Sequence, residues 1–302
     1  MKIATYNVRN LYDPGTSIDE VTLEVVQEGF FNERVNYLIE KFRKLDLDII
    51  CLQEIGGEKG VTMIGQELNY NYFFAKPNSR GIRMAVLYKK ELTDKIKCES
   101  VSFGELKIPS IQEHGDTKDL KPIAQRRDVL VCDVDDYNGK KLRIVTFHLK
   151  SLLPTYLDGE NWESDTRLHS DARLRSVFYK IMELRALREF VDRSLDERKE
   201  VMLLGDFNED HNASSVSILK ASNKEDRVLY DALTGYEGDK TTHMHRGGKL
   251  TFDTILVTDG LKKDIVSVSV ENQELKDYSI LGWGEVEHVV EPDHAMVILD
   301  LM

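Results

Sequence analysis

Five apolar runs constrain the fold most: "DIICLQE", "RIVTFHL", "VMLLGDF", "FDTILVT" and "HAMVILDL". Each is strand-length, and their cores lack the polar alternation of a strand with one wet face. They read as strands buried on both sides. Strands of that kind need cover above and below, which a single open sheet on a solvated face cannot give. Each run also meets an acid, an amide or an imidazole where it enters or leaves the core. In α/β sheets the carboxyl ends of strands are where chemistry is usually placed.

The intervening sequence supplies the cover. "KIATYNV" alternates like a strand, and "FNERVNYLIEKFRKL" then sets Phe31, Val35, Leu38, Ile39 and Phe42 at helical spacing. A short helix over residues 61–68 leads to the strands "YNYFFAK" and "IRMAVLYKK". Residues 91–127 are rich in Lys, Glu and Asp and read as a strand near 95–101 followed by a long loop. "DVLVCDV" and "KLRIVTFHL" form a hairpin around Asn138-Gly139. Residues 151–168 read as an irregular surface insertion. A long helix over 171–193 carries Leu174, Val177, Phe178, Ile181, Leu184 and Leu187 on one face. "VMLLGDF", a short helix near 214–220, "TFDTILVT", "IVSVSV" and "HAMVILDL" complete the chain. With no internal repeat or linker-like tract, residues 1–302 read as one α/β domain: two mixed sheets packed face to face, with helices outside.

Composition excludes some functions. No apolar run approaches the length of a membrane span, so no membrane insertion is expected. "MKIATYNV" enters a strand directly, so the expected location is cytoplasmic, or secreted or periplasmic if a leader has been removed. Cys51, Cys98 and Cys132 are odd in number and lack metal-type spacing, which suits buried small hydrophobes. A net charge of −12 gives no bulk attraction for a polyanion, so such a substrate needs a local basic patch or bound cations.

At the strand termini stand Asn7, Glu54, His148, Asp206, Asn208, Asp253, Asp293 and His294. One such residue is an ordinary cap or turn; eight together point to a site. Glu54, Asp206, Asp293 and the amide oxygens of Asn7 and Asn208 are hard donors that suit Mg²⁺ or Mn²⁺. His294 adjoins Asp293 in sequence, but extended neighbours point opposite ways, so Asp253 is its expected partner. An Asp–His pair beside a cation is a device for hydrolysing phosphate esters.

"TYN", "LQE", "FHLKS", "GDFN", "FDTILV" and "PDH", in that order, resemble the endonuclease/exonuclease/phosphatase superfamily, which includes pancreatic-type deoxyribonuclease and abasic-site endonucleases. The opening "NVRNLYD" is similar to bacterial nuclease-like members. The resemblance implies a four-layered α/β sandwich and a metal-dependent phosphoesterase. It makes Glu54 the principal metal ligand, with Asn7 and Asp293. Asp206 would position or deprotonate water or hold a second metal, and Asn208 would hold the phosphate. His294, oriented by Asp253, would be base or transition-state stabiliser, and His148 would assist the leaving oxygen or bind phosphate. Some relatives orient that last histidine with a carboxylate on an earlier strand; "RGIRMAVLYKK" offers none.

Substrate is less constrained. "HLKS" favours the nuclease-like branch, with Lys150 as a cation near the scissile phosphate and Arg80 as a phosphate contact or a surface ion pair. Nucleic acid is then the expected substrate. The runner-up is a small or lipid-linked phosphate ester, for which Arg167, Arg173 and Arg175, or the apolar Leu152, Leu153, Pro154 and Tyr156, are the nearest candidates. A catalytically inactive binding member ranks last, because no site residue is missing. His243 and His245 read as a surface hairpin rather than a zinc site. His114, His169, His211 and His288 show no partner in the sequence. Arg126 and Arg127 read as a solvated strand end, and Trp162 and Trp283 as base-stacking or core-covering residues. The sequence indicates no protein partner or oligomeric state.

Overall fold

A computed structural model describes residues 1–17, 25–106, 123–161, 163, 165–220, 224–281 and 289–302. The chain runs β1 (Lys2–Leu11), α1 (Glu28–Leu45), β2 (Ile49–Ile55), α2 (Lys59–Leu68), β3 (Tyr70–Phe74), β4 (Arg83–Lys89), β5 (Ile96–Val101) and β6 (Glu105–Leu106). It continues through β7 (Ile123–Ala124), β8 (Val129–Tyr137), β9 (Lys140–His148), α3 (Thr166–Asp196), β10 (Glu200–Asp206), α4 (Ser217–Lys220) and β11 (Tyr230–Asp231). The last elements are β12 (His243–His245), β13 (Gly248–Leu250), β14 (Asp253–Val257), α5 (Asp259–Lys262), β15 (Ile265–Glu271) and β16 (Met296–Leu301). Trp162, Trp283, His114, His288 and most of the long loop expected before Arg127 lie outside the described residues.

Two six-stranded mixed sheets result, ordered β15-β16-β1-β2-β4-β3 and β11-β14-β10-β9-β8-β5. Each is built on one central parallel pair, β1 with β2 and β9 with β10, flanked by antiparallel strands. A helix, α1 or α3, makes each parallel crossover. One core lies between the sheets, joining Ile3, Ile49, Cys51 and Val297 to Leu130, Ile144, Met202 and Ile255. A second lies under α1 and α2, where Phe31, Val35, Leu38 and Phe42 are buried as their spacing predicts. A third lies under α3, around Leu184, Leu187, Val191, Val201 and Leu203. This is the four-layered α/β sandwich expected from the sequence.

The glycine of "GDFN" has a steric cause. A β-carbon on Gly205 would lie 2.0 Å from the Phe147 carbonyl oxygen of β9. Only glycine lets β10 close on β9 there, in the register that sets Asp206 beside His148.

Helix α3 departs from the sequence reading. It begins at Thr166, where Asp165 caps it by accepting from the Leu168 N–H at 3.0 Å. Leu184 and Leu187 are buried as expected, but Leu174, Val177 and Phe178 are exposed. Ser176, Lys180 and Glu183 are buried in their place. The first half of α3 overlies polar loops rather than a sheet, so the face it buries there is polar.

Candidate active site

The carboxyl ends of the two parallel pairs converge. Asn7 and Glu54 come from the first sheet, and His148 and Asp206 from the second. Asp253 opens β14 directly opposite Asp206, and His294 lies just before β16. The first two strands do not end at Asn7 and Glu54, as the sequence suggests. They continue to Leu11 and Ile55, and the pairing register shifts instead, between Asn7 and Leu11 and between Leu52 and Ile55. Such irregularities re-aim side chains and recur beside active sites. Glu54 has a φ of 62°, a left-handed conformation that costs a non-glycine residue about 1–3 kcal/mol and persists only where the surroundings hold it.

Hydrogen bonds join the two sheets in the site. The Asn7 amide nitrogen donates to Asp206 Oδ2 at 3.0 Å and to Glu54 Oε1 at 3.2 Å. Its oxygen, which the sequence reading gives to a metal, accepts from the Arg9 N–H at 2.9 Å. In this orientation Asn7 braces two carboxylates. Glu54 Oε2 accepts from the Asn10 N–H at 3.0 Å. Asn208, at φ 50°, donates its backbone N–H to Asp206 Oδ1 at 2.6 Å and its side-chain amide to Asp206 Oδ2 and the Leu149 carbonyl. Beneath this layer Gln53 donates to Thr5 and Thr146, fully buried between the sheets.

The expected Asp253–His294 pair is present, with Nδ1 2.7 Å from Oδ2. His294 Nε2 lies 3.9 Å from Asp206 Oδ2, and His148 Nε2 lies 3.4 Å from the same oxygen and 3.6 Å from Glu54 Oε1. The two imidazoles differ electrostatically. Burial alone would lower the His294 pKa, but Asp253 and Asp206 hold it well above the ordinary value. Burial, reinforced by the Arg127, His294 and Arg80 charges, pushes His148 well below it. Two titratable groups driven apart in this way are suited to opposite proton duties.

Among the described residues, three groups have ligand atoms that lie within 4.8 Å of one another: Glu54–His148–Asp206, Asp206–Asp253–His294 and His243–Asp293–His294. Burial and the Asp293 charge raise the Glu54 pKa, and burial raises that of Asp206. Asp253 Oδ1 is buried without a hydrogen-bond partner. Crowded carboxylates with an orphaned oxygen fit a hard divalent cation, for which the resemblance nominates Glu54 and Asp293, although the two fall in different groups here.

Several residues enter the site against the sequence reading. His243 does lie in a hairpin, β12–β13, but its ring is 4.7 Å from that of His294, and its Nδ1 bonds the Asp293 carbonyl at 3.0 Å. Arg127 is half-buried and donates to the His148 carbonyl at 3.2 Å. Lys150 is turned away from the catalytic cluster. Its ammonium donates to the Ser151 and Leu153 carbonyls at 2.8 and 2.9 Å, because the following loop curls back over it. Arg80 is exposed and makes no ion pair among the described residues, so of its two alternatives the surface ion pair is not seen. Arg175 is held by Glu160 and the Thr155 carbonyl, while Arg167 and Arg173 are exposed. His211 and His169 do have partners, Asp231 at 2.7 Å and Tyr156 at 2.6 Å.

Buried side chains of α3 pin the catalytic loops. Lys180 donates to the Asn208 carbonyl at 2.7 Å, Glu183 accepts from the Lys150 N–H at 2.8 Å, and Ser176 donates to the Leu153 carbonyl at 2.6 Å. Their spacing of four and three residues puts all three on one helix face.

The Endonuclease/Exonuclease/phosphatase family model matches residues 4–275. The chain belongs to this family. Among curated proteins no match is found. Solved structures that share the fold include a humanized D. rerio TDP2, 17% identical with a TM-score of 0.57 over 99% of this chain and 97% of that one. An AP endonuclease from Archaeoglobus fulgidus is 16% identical, TM-score 0.58, over 100% and 99%. A 3′ phosphatase, NExo, from Neisseria, bound to product DNA hairpin, is 18% identical, TM-score 0.56, over 100% and 99%. No helix among the described residues is long and apolar enough to cross a membrane.

Proposed function

We propose that this family member is a Mg²⁺- or Mn²⁺-dependent phosphodiesterase whose substrate is nucleic acid. The observation that carries the reading is the convergence of Glu54, Asp206, Asp253, His148 and His294 from both sheets within hydrogen-bonding or near-contact range. When bound, the cation supplies charge neutralisation at a phosphoryl oxygen. The chain's own residues do the rest. Asp206 faces both imidazoles and the Asn7 and Asn208 amides, a setting that orients a water for attack on phosphorus and takes up its proton as the P–O bond to the departing oxygen breaks. His294, held by Asp253, stabilises the charge that develops on the phosphoryl oxygens. His148, kept neutral, bonds the phosphate or the departing oxygen, and Asn208, which the sequence reading gives to the phosphate, spends its N–H groups on Asp206 and the Leu149 carbonyl.

A lipid-linked or small phosphate ester is the second reading. Leu153 and Leu157, 72% and 57% exposed, lie on the loop before α3, and Leu174 and Phe178 are exposed on α3 itself. Hydrolysis of supercoiled plasmid, bis-p-nitrophenyl phosphate and sphingomyelin vesicles, with Mg²⁺, Mn²⁺ or EDTA, tests the choice. The proposal expects metal-dependent plasmid nicking that Glu54→Gln and His294→Ala abolish. Vesicle hydrolysis without nicking would move the substrate to the second reading, and metal-independent nicking would contradict the mechanism.

A further inference from the structure

The largest cavity described, about 1000 Å³, is an open groove beside the catalytic cluster. Lys76 and Arg80 line one part of it, Arg126 and Arg127 another, and Lys150 a third. Arg127, which donates to the His148 carbonyl, lines both the groove and two small pockets that touch His148, so the groove lies next to the catalytic residues. In a chain of net charge −12 these five cations make no ion pair among the described residues. Of the two acids that line the groove, Asp128 accepts from Ser100 Oγ at 2.9 Å and Glu183 from the Lys150 N–H at 2.8 Å, and the Glu183 charge also acts on Arg126 and Arg127. Among the described residues the groove's five cations therefore outnumber its two acids. Burial and the Arg126 and Arg127 charges bring the Lys150 pKa down to about 8. Two tyrosines line the groove as well: Tyr156, whose hydroxyl bonds His169, and Tyr179, one face of which the Arg126 guanidinium covers at 4.2 Å.

Concentrated positive charge left unpaired in an acidic protein is unfavourable unless a polyanion completes it. A small phosphate ester reaching His148 would leave most of the groove empty. A cationic track with aromatic platforms is the arrangement that binds unpaired nucleotides, through phosphates and base stacking together. We propose that this groove seats a single-stranded tract of polynucleotide leading away from the scissile phosphate. The proposal rests on the nuclease reading of the site, and it locates the basic patch that the net charge demands.

The test is fluorescence anisotropy in EDTA, so that binding is measured without cleavage. The probe is a fluorescein-labelled oligothymidylate about twelve nucleotides long. Lys76→Glu and Arg126→Glu lie on exposed side chains, and Lys97→Glu, on β5 outside the groove, is the control. The proposal expects each groove variant to weaken binding about tenfold or more and to lower the salt slope by about 1, with Lys97→Glu unchanged. Unchanged affinity in the groove variants, equal weakening in the control, or no binding by the parent chain would overturn it. So would equal affinity for a duplex of the same length. Plasmid nicking with Mg²⁺ is measured separately. Loss of nicking with retained, variant-sensitive binding would sink the nuclease reading and leave the groove standing.

Discussion

Asn7 and Asp206 belong to different sheets, and the 3.0 Å hydrogen bond between them ties the sheets together inside the candidate site. The same Asn7 nitrogen reaches Glu54, so one amide holds two carboxylates whose pKa values burial has raised. Asn7→Asp exchanges that donor for a third acid. Without divalent cation the variant should unfold about 1–3 kcal/mol more easily than the parent. Added Mn²⁺ should raise its midpoint more than the parent's. Urea denaturation with EDTA and with Mn²⁺ measures both, and equal midpoints in EDTA would contradict the bracing role.

Gly205→Ala should be severe, because the new β-carbon meets backbone, which cannot swing aside. A loss above about 3 kcal/mol is expected in urea denaturation, with activity lost as His148 and Asp206 separate. A loss below about 1 kcal/mol would show that β9 and β10 have slack.

Lys180→Met removes the donor to the Asn208 carbonyl while keeping most of the side-chain volume. Since Asn208 holds Asp206 from its own strained backbone, kcat should fall about 10–100-fold with a smaller change in KM. Lys180→Arg should recover part of kcat. Equal effects on kcat and stability, with no recovery by arginine, would mark Lys180 as packing alone.

Asp231 gives the chain a pH-dependent contribution to stability. Burial alone would raise its pKa, but the hydrogen bond from His211 and the Lys220 charge bring it down to about 2. The folded-state value lies below the ordinary one, so the contribution is complete above about pH 4 and lost as pH falls towards 2. At pH 7 the parent should be more stable than Asp231→Asn by about 2 kcal/mol. The gap should close in acid, and a gap independent of pH between 2 and 7 would contradict the assignment.

The acids and imidazoles were legible in the sequence because each ends or opens a run that has to be buried, and "GDFN" carries its own steric reason in Gly205. The register shifts were not legible. Glu54 adopts φ 62° with no glycine to mark it, so a continuing strand with a displaced side chain reads as a strand end. Helix α3 misled for a related reason. Its apolar positions follow helical spacing throughout, yet its first half covers loops whose carbonyls and N–H groups need polar partners. Ser176, Lys180 and Glu183 therefore face inward while Leu174 and Phe178 face out. Arg126, Arg127 and His243 are ordinary strand-end or hairpin residues in one dimension. The fold sets Arg127 beside His148 and His243 beside His294, and puts Arg126 on the wall of the neighbouring groove.

The central claim is that the two sheets converge to hold a divalent cation between carboxylates, and titration with Mn²⁺ followed by electron paramagnetic resonance tests it most directly. The account predicts saturable binding by the parent chain, weakened about tenfold or more in Glu54→Gln and in Asp293→Asn, with Asp231→Asn unchanged. Binding that is absent from the parent, or equal in all four proteins, would contradict it.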